Sequence, residues 1–206
     1  MNTRMLAIAF TLAAASPALG TIASFTGAVS YHATPPAASK WGTWSNGATV
    51  HAWTERTNIS VNGLAAQMIT NPSNSAFPTA GSYSGVVDSH MIHHESYWIY
   101  YGTITGTITF NDPIVAVIYD WWSLKASDPV CGAPGTAYSP QYNFRGFAPG
   151  TGLISINNKT LTFTLPVSNQ PLADYDEIRV LTAPIPAPGA AALACIGGVL
   201  VLRRRR

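Results

Sequence analysis

From Thr103 to Phe110 the chain alternates in character. Thr103, Thr105, Thr107 and Thr109 fall on one side of an extended backbone, and Ile104, Ile108 and Phe110 fall on the other. A period of two buries one face and wets the other; a helix cannot satisfy it, because helical neighbours recur three and four residues apart. Alternation of this kind recurs along the chain, whereas no stretch of ten or more residues between Thr21 and Ala183 keeps a period of 3.6. The body is therefore expected to consist of strands, with little helix.

Turn residues divide it. Asn111-Asp112-Pro113 ends the alternating strand, and the next run, Ile114 to Tyr119, is apolar on both sides, as in a strand covered on both faces. Leu153 to Ile156 and Thr160 to Leu165 flank Asn157-Asn158-Lys159, and asparagine tolerates the positive φ of a tight hairpin. Asp176 to Leu181 is a final strand. Phe25 to Tyr31, Thr49 to Thr54, Asn58 to Val61, Val87 to His93, Tyr97 to Tyr101 and Gln141 to Phe147 are further candidates, with a long loop between Trp122 and Gln141. That many short strands predict an all-β fold, an antiparallel two-sheet sandwich of which a jelly roll is one form.

The two ends differ from the body. Arg4, the apolar run Met5 to Ala15, and small residues Ala18 and Gly20 three and one positions before Thr21 have the layout of a secretory signal peptide over residues 1–20. At the other end Pro186-Ala187-Pro188 precedes the apolar stretch Ala190 to Leu202 and then Arg203, Arg204, Arg205 and Arg206. A helix of about 16 residues rises about 24 Å, a marginal span for a hydrocarbon core of about 30 Å, and four arginines hold its end on the cytoplasmic side. This arrangement of Pro-x-Pro, a short Ala/Gly/Leu-rich helix and terminal arginines resembles the PEP-CTERM sorting signal of bacterial exported proteins, here without the glutamate. The resemblance implies export by Sec-type machinery and signal peptidase. It also implies a transient inner-membrane anchor over residues 184–206, handling by an exosortase-like membrane enzyme, and release to the surface or an exopolysaccharide matrix.

Between those segments lies one domain, Thr21 to Ala183, 163 residues long. Five of the 11 basic residues belong to the ends, so the body carries 6 basic against 9 acidic side chains, which excludes the basic face that nucleic acid requires. Cys195 lies in the apolar tail, so Cys131 is the only thiol of the body and no disulfide can form within it.

Asp88-Ser89-His90-Met91-Ile92-His93-His94-Glu95 holds three of the five histidines. On a strand His93 and Glu95 share a face, opposite Asp88, His90 and His94, and imidazole with carboxylate suits a divalent metal, which makes His93 and Glu95 the candidate ligands. No cofactor is otherwise indicated. There is no Gly-x-Ser-x-Gly elbow, phosphate-binding glycine loop or His-Glu-x-x-His, and the chain is expected not to be an enzyme. Glu55, Glu95, Asp120 and Asp128 are the carboxylates that a glycosidase reading would pair as acid and base. Among six tryptophans, Trp41, Trp44 and Trp122 flank turns and are the candidates for stacking on sugar rings; the other large aromatics are expected to fill the core.

Val87-Asp88-Ser89-His90-Met91-Ile92-His93, Gly106-Thr107-Ile108-Thr109-Phe110, Pro113 to Ile118, Ser127-Asp128, Gly132 to Tyr138, Arg145-Gly146 and Asp176-Glu177-Ile178-Arg179-Val180 are similar to a group of PEP-CTERM proteins. That resemblance implies a β-rich exported domain and no particular activity. In the group the stretch after His93 more often reads Phe-Asp than His94-Glu95.

Overall fold

A computed structural model describes residues 22–40, 42–44, 47–70, 78–95, 102–140, 145–146, 153–167 and 175–184. The signal segment, the apolar tail, Tyr97 to Tyr101 and all of Gln141 to Phe147 except Arg145-Gly146 lie outside them. Of the described residues 66% are in strands and 9% are helical, so the fold is mostly β as the alternation requires. Among them no helix is long and apolar enough to cross a membrane.

The elements in chain order are β1 (Ile22–Gly27), β2 (Val29–His32), β3 (Ala38–Ser39), β4 (Val50–Ile69), β5 (Thr79–Glu95), β6 (Gly102–Phe110), β7 (Ile114–Ile118), α1 (Trp121–Cys131), β8 (Ala137–Tyr138), β9 (Leu153–Asn157), β10 (Thr160–Val167) and β11 (Tyr175–Thr182). A four-stranded antiparallel sheet runs β1-β6-β10-β9, and a five-stranded sheet runs β2-β4-β5-β11-β7. The alternating strand is β6, and the β9–β10 hairpin turns at Asn158, whose φ of 52° is the left-handed value expected of it. The doubly apolar run is β7, buried along its whole length.

Three features depart from the sequence reading. The segments expected over Thr49 to Thr54 and Asn58 to Val61 fall, from Val50 on, in one 20-residue strand, β4, which pairs with the 17-residue β5 through four shifts of register. Asn58 (φ 55°) and Gly63 (φ 65°) sit at those shifts, where bulges bend the strand without ending it. The bend lets the far end of β4 reach β7, where Met68 pairs with Val117 and Ile69 with Ala116, so β4, β5, β11 and β7 form a closed circuit of pairings. Second, β2 on β4 and β3 on β8 are short parallel pairs in an otherwise antiparallel fold. Third, the segment expected as a loop after Trp122 holds α1, whose N-cap Asp120 accepts the Ser123 N–H. Its buried residues, Ser123, Leu124, Ser127 and Cys131, keep helical spacing, but serine and cysteine hide that period from an apolar count.

Two hydrophobic clusters result. One gathers Ile22, Ile104, Ile108, Phe110, Leu161, Phe163 and Leu165 of the four-stranded sheet with Val50, Ala52, Ile92, Ile114, Val117, Ile178 and Val180 of the five-stranded sheet. The other lies on the opposite face of β4, β5 and β11, where Trp53, Met91 and Leu181 pack with Val61, Val87, Ile118 and with Leu124 and Cys131 of α1.

Candidate functional site

Beside the second cluster, on the same face, the sheet carries charge. Register sets Glu177 of β11 opposite His93 of β5, which in turn lies opposite His51 of β4. Alternation adds Arg179 two residues after Glu177 and Glu95 two residues after His93. From β4 comes Glu55, from α1 Asp128, and from an isolated bridge residue Arg145.

These side chains form one continuous string. Arg179 donates Nε–H to Glu55 Oε2 (2.6 Å) and Nη2–H to Glu55 Oε1 (2.8 Å) and Asp128 Oδ1 (3.0 Å). Its Nη1 bonds the Leu124 carbonyl (3.1 Å) and the Ser127 hydroxyl, so all five guanidinium protons are used. Asp128 also receives Arg145 in a fork, Nη1 at 2.6 Å and Nη2 at 2.8 Å, while Arg145 Nε reaches Glu177. Glu177 Oε1 lies 3.1 Å from His93 Nδ1, and His93 Nε2 lies 3.1 Å from Glu95 Oε1. The string ends where Glu95 accepts the Gly42 N–H (2.9 Å) and the Thr43 N–H (3.1 Å). Hydroxyls finish the job: Ser89 and Tyr138 donate to Glu55 and Ser39 to Glu177, and the Tyr138 ring lies under both guanidinium groups, 5.3 and 5.5 Å from their carbons.

Burial and pairing set the protonation states. Burial alone would push the Glu177 carboxyl up, but the Arg145 charge and the bonds from His93 and Ser39 outweigh it and hold the pKa at about 2. Burial would lower His93, yet its bonds to Glu177 and Glu95 and their charges raise it above the ordinary imidazole value. Arg179 and Arg145 are likewise raised by their carboxylates against the cost of burial. Tyr138 is raised by burial and by Glu55, and burial pushes the Cys131 thiol up to about 11, which leaves it unreactive.

A second imidazole group abuts this string. His51 stacks on Trp44 with ring centroids 4.4 Å apart, and its Nδ1 lies 2.8 Å from His32 Nε2. Burial first, then the neighbouring His32, lowers His51 to about 4, so it is neutral at physiological pH. Its Nε2 and the indole N–H of Trp53 are buried with no hydrogen-bond partner among the described residues. On the other face of β5, His90 packs on Phe110 and lies between Thr54 and Thr182, and burial lowers it to about 3.

The candidate ligands His93 and Glu95 do meet, but both imidazole nitrogens already face carboxylates. Among the described residues no group of three or more His, Cys, Asp or Glu side chains is placed to hold a metal ion. His94 bonds Asp176 and the Gly47 carbonyl instead. Of the four carboxylates weighed as acid and base, Glu55 and Asp128 share Arg179, Glu95 is fixed by His93 and two backbone amides, and Asp120 caps α1. Ser39 Oγ lies 3.2 Å from His93 Nδ1, which brings serine, histidine and Glu95 into the order of a hydrolytic triad. Such a triad needs a neutral imidazole and a reachable hydroxyl. Here both imidazole nitrogens face carboxylates, which favour the protonated ring, and Ser39 is fully buried with its proton directed at Glu177.

Of the sugar-stacking candidates, Trp122 is 65% exposed and lies against Trp121 with ring centroids 3.7 Å apart. Trp44 is half-buried among His32, His51, Trp53 and His93. Trp41, Ala18, Gly20, Pro186, Pro188 and Arg203 to Arg206 lie outside the described residues. Sequence reasoning missed Glu55, Asp128, Arg145, Glu177 and Arg179 as members of one cluster; the signal for part of it was that Asp128, Arg145 and Arg179 are charges set among apolar or small residues in a body with few charges. No family model matches the chain, and no curated protein and no solved structure matches it.

Proposed function

We propose that this is an exported, non-enzymatic protein of the bacterial surface or exopolysaccharide matrix, delivered by a signal peptide over residues 1–20 and a PEP-CTERM-like segment over residues 184–206. The observation that carries the non-enzymatic part is the closed state of the cluster that joins Ser39, His93 and Glu95 to the buried arginines. Every proton of Arg179 and both nitrogens of His93 are already bonded inside the protein, and Ser39, His93, Glu177 and Arg179 are fully buried. Such a cluster holds α1, β3 and β8 on the sheet and presents nothing to a substrate. The finer description of the fold, a two-sheet sandwich, is supported by the cluster that draws its buried side chains from both sheets.

Fractionation tests the delivery route. Full-length chain should be found in the inner membrane, and the surface or medium should hold a form that starts near Thr21 and has lost Arg203 to Arg206. Surface material that keeps Arg206 would refute it. A second reading, a carbohydrate-binding module, is favoured by Trp122, since an exposed indole backed by a second ring is the platform a sugar face requires. Retention of the protein on the organism's own exopolysaccharide, lost in Trp122→Ala, would establish that reading; equal retention of both would reject it.

A further inference from the structure

The bend of β4 that brings Met68 and Ile69 onto β7 also sets Gln67 at the corner where β7 passes into α1. There the Gln67 Oε1 accepts two backbone N–H groups, from Tyr119 (2.9 Å) and Asp120 (3.2 Å). Backbone N–H can only donate, so the oxygen must face them and the nitrogen must face the other way. That nitrogen lies 3.1 Å from Ser123 Oγ, and the hydroxyl in turn donates to Asp120 Oδ2 at 2.9 Å. An amide C–N bond adds about 1.33 Å, which places the Gln67 carbonyl carbon within about 4.4 Å of Ser123 Oγ.

Capping α1 requires only the Asp120 carboxylate on the Ser123 N–H, 3.0 Å away. It does not require a carboxamide with its oxygen on two N–H donors and its nitrogen against a hydroxyl whose proton points at a carboxylate. Those are the parts of an acyl transfer: a nucleophile with a base in reach, an electrophilic carbonyl with its oxyanion donors in place, and a leaving group beside the nucleophile.

We propose that Ser123 and Gln67 condense, without any added factor, to an intramolecular ester. Ser123 Oγ gives up its hydrogen bond from the amide nitrogen, attacks the Gln67 carbonyl carbon and passes its proton to Asp120. The negative charge that develops on Oε1 is held by the Tyr119 and Asp120 N–H groups. The tetrahedral centre then collapses, the C–N bond breaks, Asp120 returns the proton to the departing nitrogen, and one ammonia leaves. One C–O bond has replaced one C–N bond, and no oxidant or reductant is consumed. Holding the two side chains in contact supplies the proximity that an ordinary hydroxyl and amide lack in water. Ser123 is 9% exposed, so water has little access to hydrolyse the product. The ester would tie β4 to α1 in a body whose single cysteine allows no disulfide within it.

Intact mass and peptide mapping of the purified protein decide the matter. The expected result is a mass short by one ammonia, with the peptides containing Gln67 and Ser123 joined and separated again by hydroxylamine. In Ser123→Ala and Asp120→Asn the joined peptide should be absent, and in Ser123→Thr, which keeps the hydroxyl, it should persist. The wild-type measurement stands even if a variant fails to fold: separate Gln67 and Ser123 peptides, each at its unmodified mass, overturn the proposal. A missing ammonia that maps to Asn46-Gly47 or Asn62-Gly63, as a succinimide would, overturns it as well. The outcome is independent of whether the protein is exported or binds sugar.

Discussion

Replacing Arg179 by alanine removes the centre of the buried string. The guanidinium makes five bonds, to Glu55, Asp128, Ser127 and the Leu124 carbonyl, and is fully buried. Breaking a buried ion pair by deleting one partner costs about 3–5 kcal/mol, because the charge left behind has lost both water and its partner. What remains around the hole sets the value within that range. Glu55 keeps the Ser89 and Tyr138 hydroxyls, Asp128 keeps the fork of Arg145, and the Leu124 carbonyl keeps the Ser127 hydroxyl. The loss is therefore expected at the lower end, about 3 kcal/mol, or about 6–12 °C in Tm for a domain of this size. Urea unfolding of the purified protein measures it. Arg179→Lys should recover only part, since an ammonium has three donors and no planar fork. Glu55→Gln combined with Arg179→Met should lose less than Arg179→Ala alone, because it strands no charge. If Arg179→Ala falls within about 1 kcal/mol of wild type, or the double variant is the worse of the two, the string does not hold the fold as described.

Acid should weaken the fold through Glu177. Its folded pKa of about 2 lies below the unfolded value of 4.5, so its contribution, about 3 kcal/mol, is complete above pH 4.5 and lost as pH falls towards 2; Glu177→Gln should flatten that limb of a stability–pH curve. His93 acts in the opposite sense, because its folded pKa is raised: its contribution is complete below pH 6.5 and lost as pH rises through the folded value, so a His93→Gln variant should lack the alkaline decline of wild type. Gly146 has φ 117°, and a Cβ there would lie 2.6 Å from the Tyr119 carbonyl oxygen, so Gly146→Ala should cost about 1–3 kcal/mol by backbone strain beside Arg145, read by the same unfolding assay.

How far the sequence discloses this molecule depends on whether a feature is local. Alternation in β6, the doubly apolar β7 and the asparagine turn at Asn158 are each set by neighbours along the chain, and each is where the sequence places it. The 20-residue β4 is not, because its bulges use the same Asn and Gly that mark turns, and only the distant partner β5 shows that the chain continues. The helix α1 is hidden for a related reason. Its inner face holds Leu124 and Cys131 together with Ser123 and Ser127, and the two serines, which meet Gln67 and Arg179, do not look apolar. Likewise His93 and Glu95 are legible as neighbours on one face, but the partners that occupy them arrive from β11, β3 and the loop at Gly42.

His93, Asp128, Arg145, Glu177 and Arg179, which lie in the segments that carry the resemblance, meet Glu55 and Glu95 in one string, and charge balance governs it. Glu55, Asp128, Glu177 and Glu95 bring four negative charges into the interior, and Arg179 and Arg145 bring two positive ones. With a neutral imidazole the string would hold a net charge of −2 out of water, a cost far larger than that of any hydrogen bond in it. A proton on His93 halves the excess, and the two amides of Gly42 and Thr43 stabilise the remaining charge on Glu95. The raised pKa of His93 thus follows from the composition of the string and needs no catalytic purpose. Metal sites and buried ion networks call on the same side chains; what separates them here is that both nitrogens of His93 and every proton of Arg179 are bonded within the chain, and each carboxylate already accepts at least three hydrogen bonds.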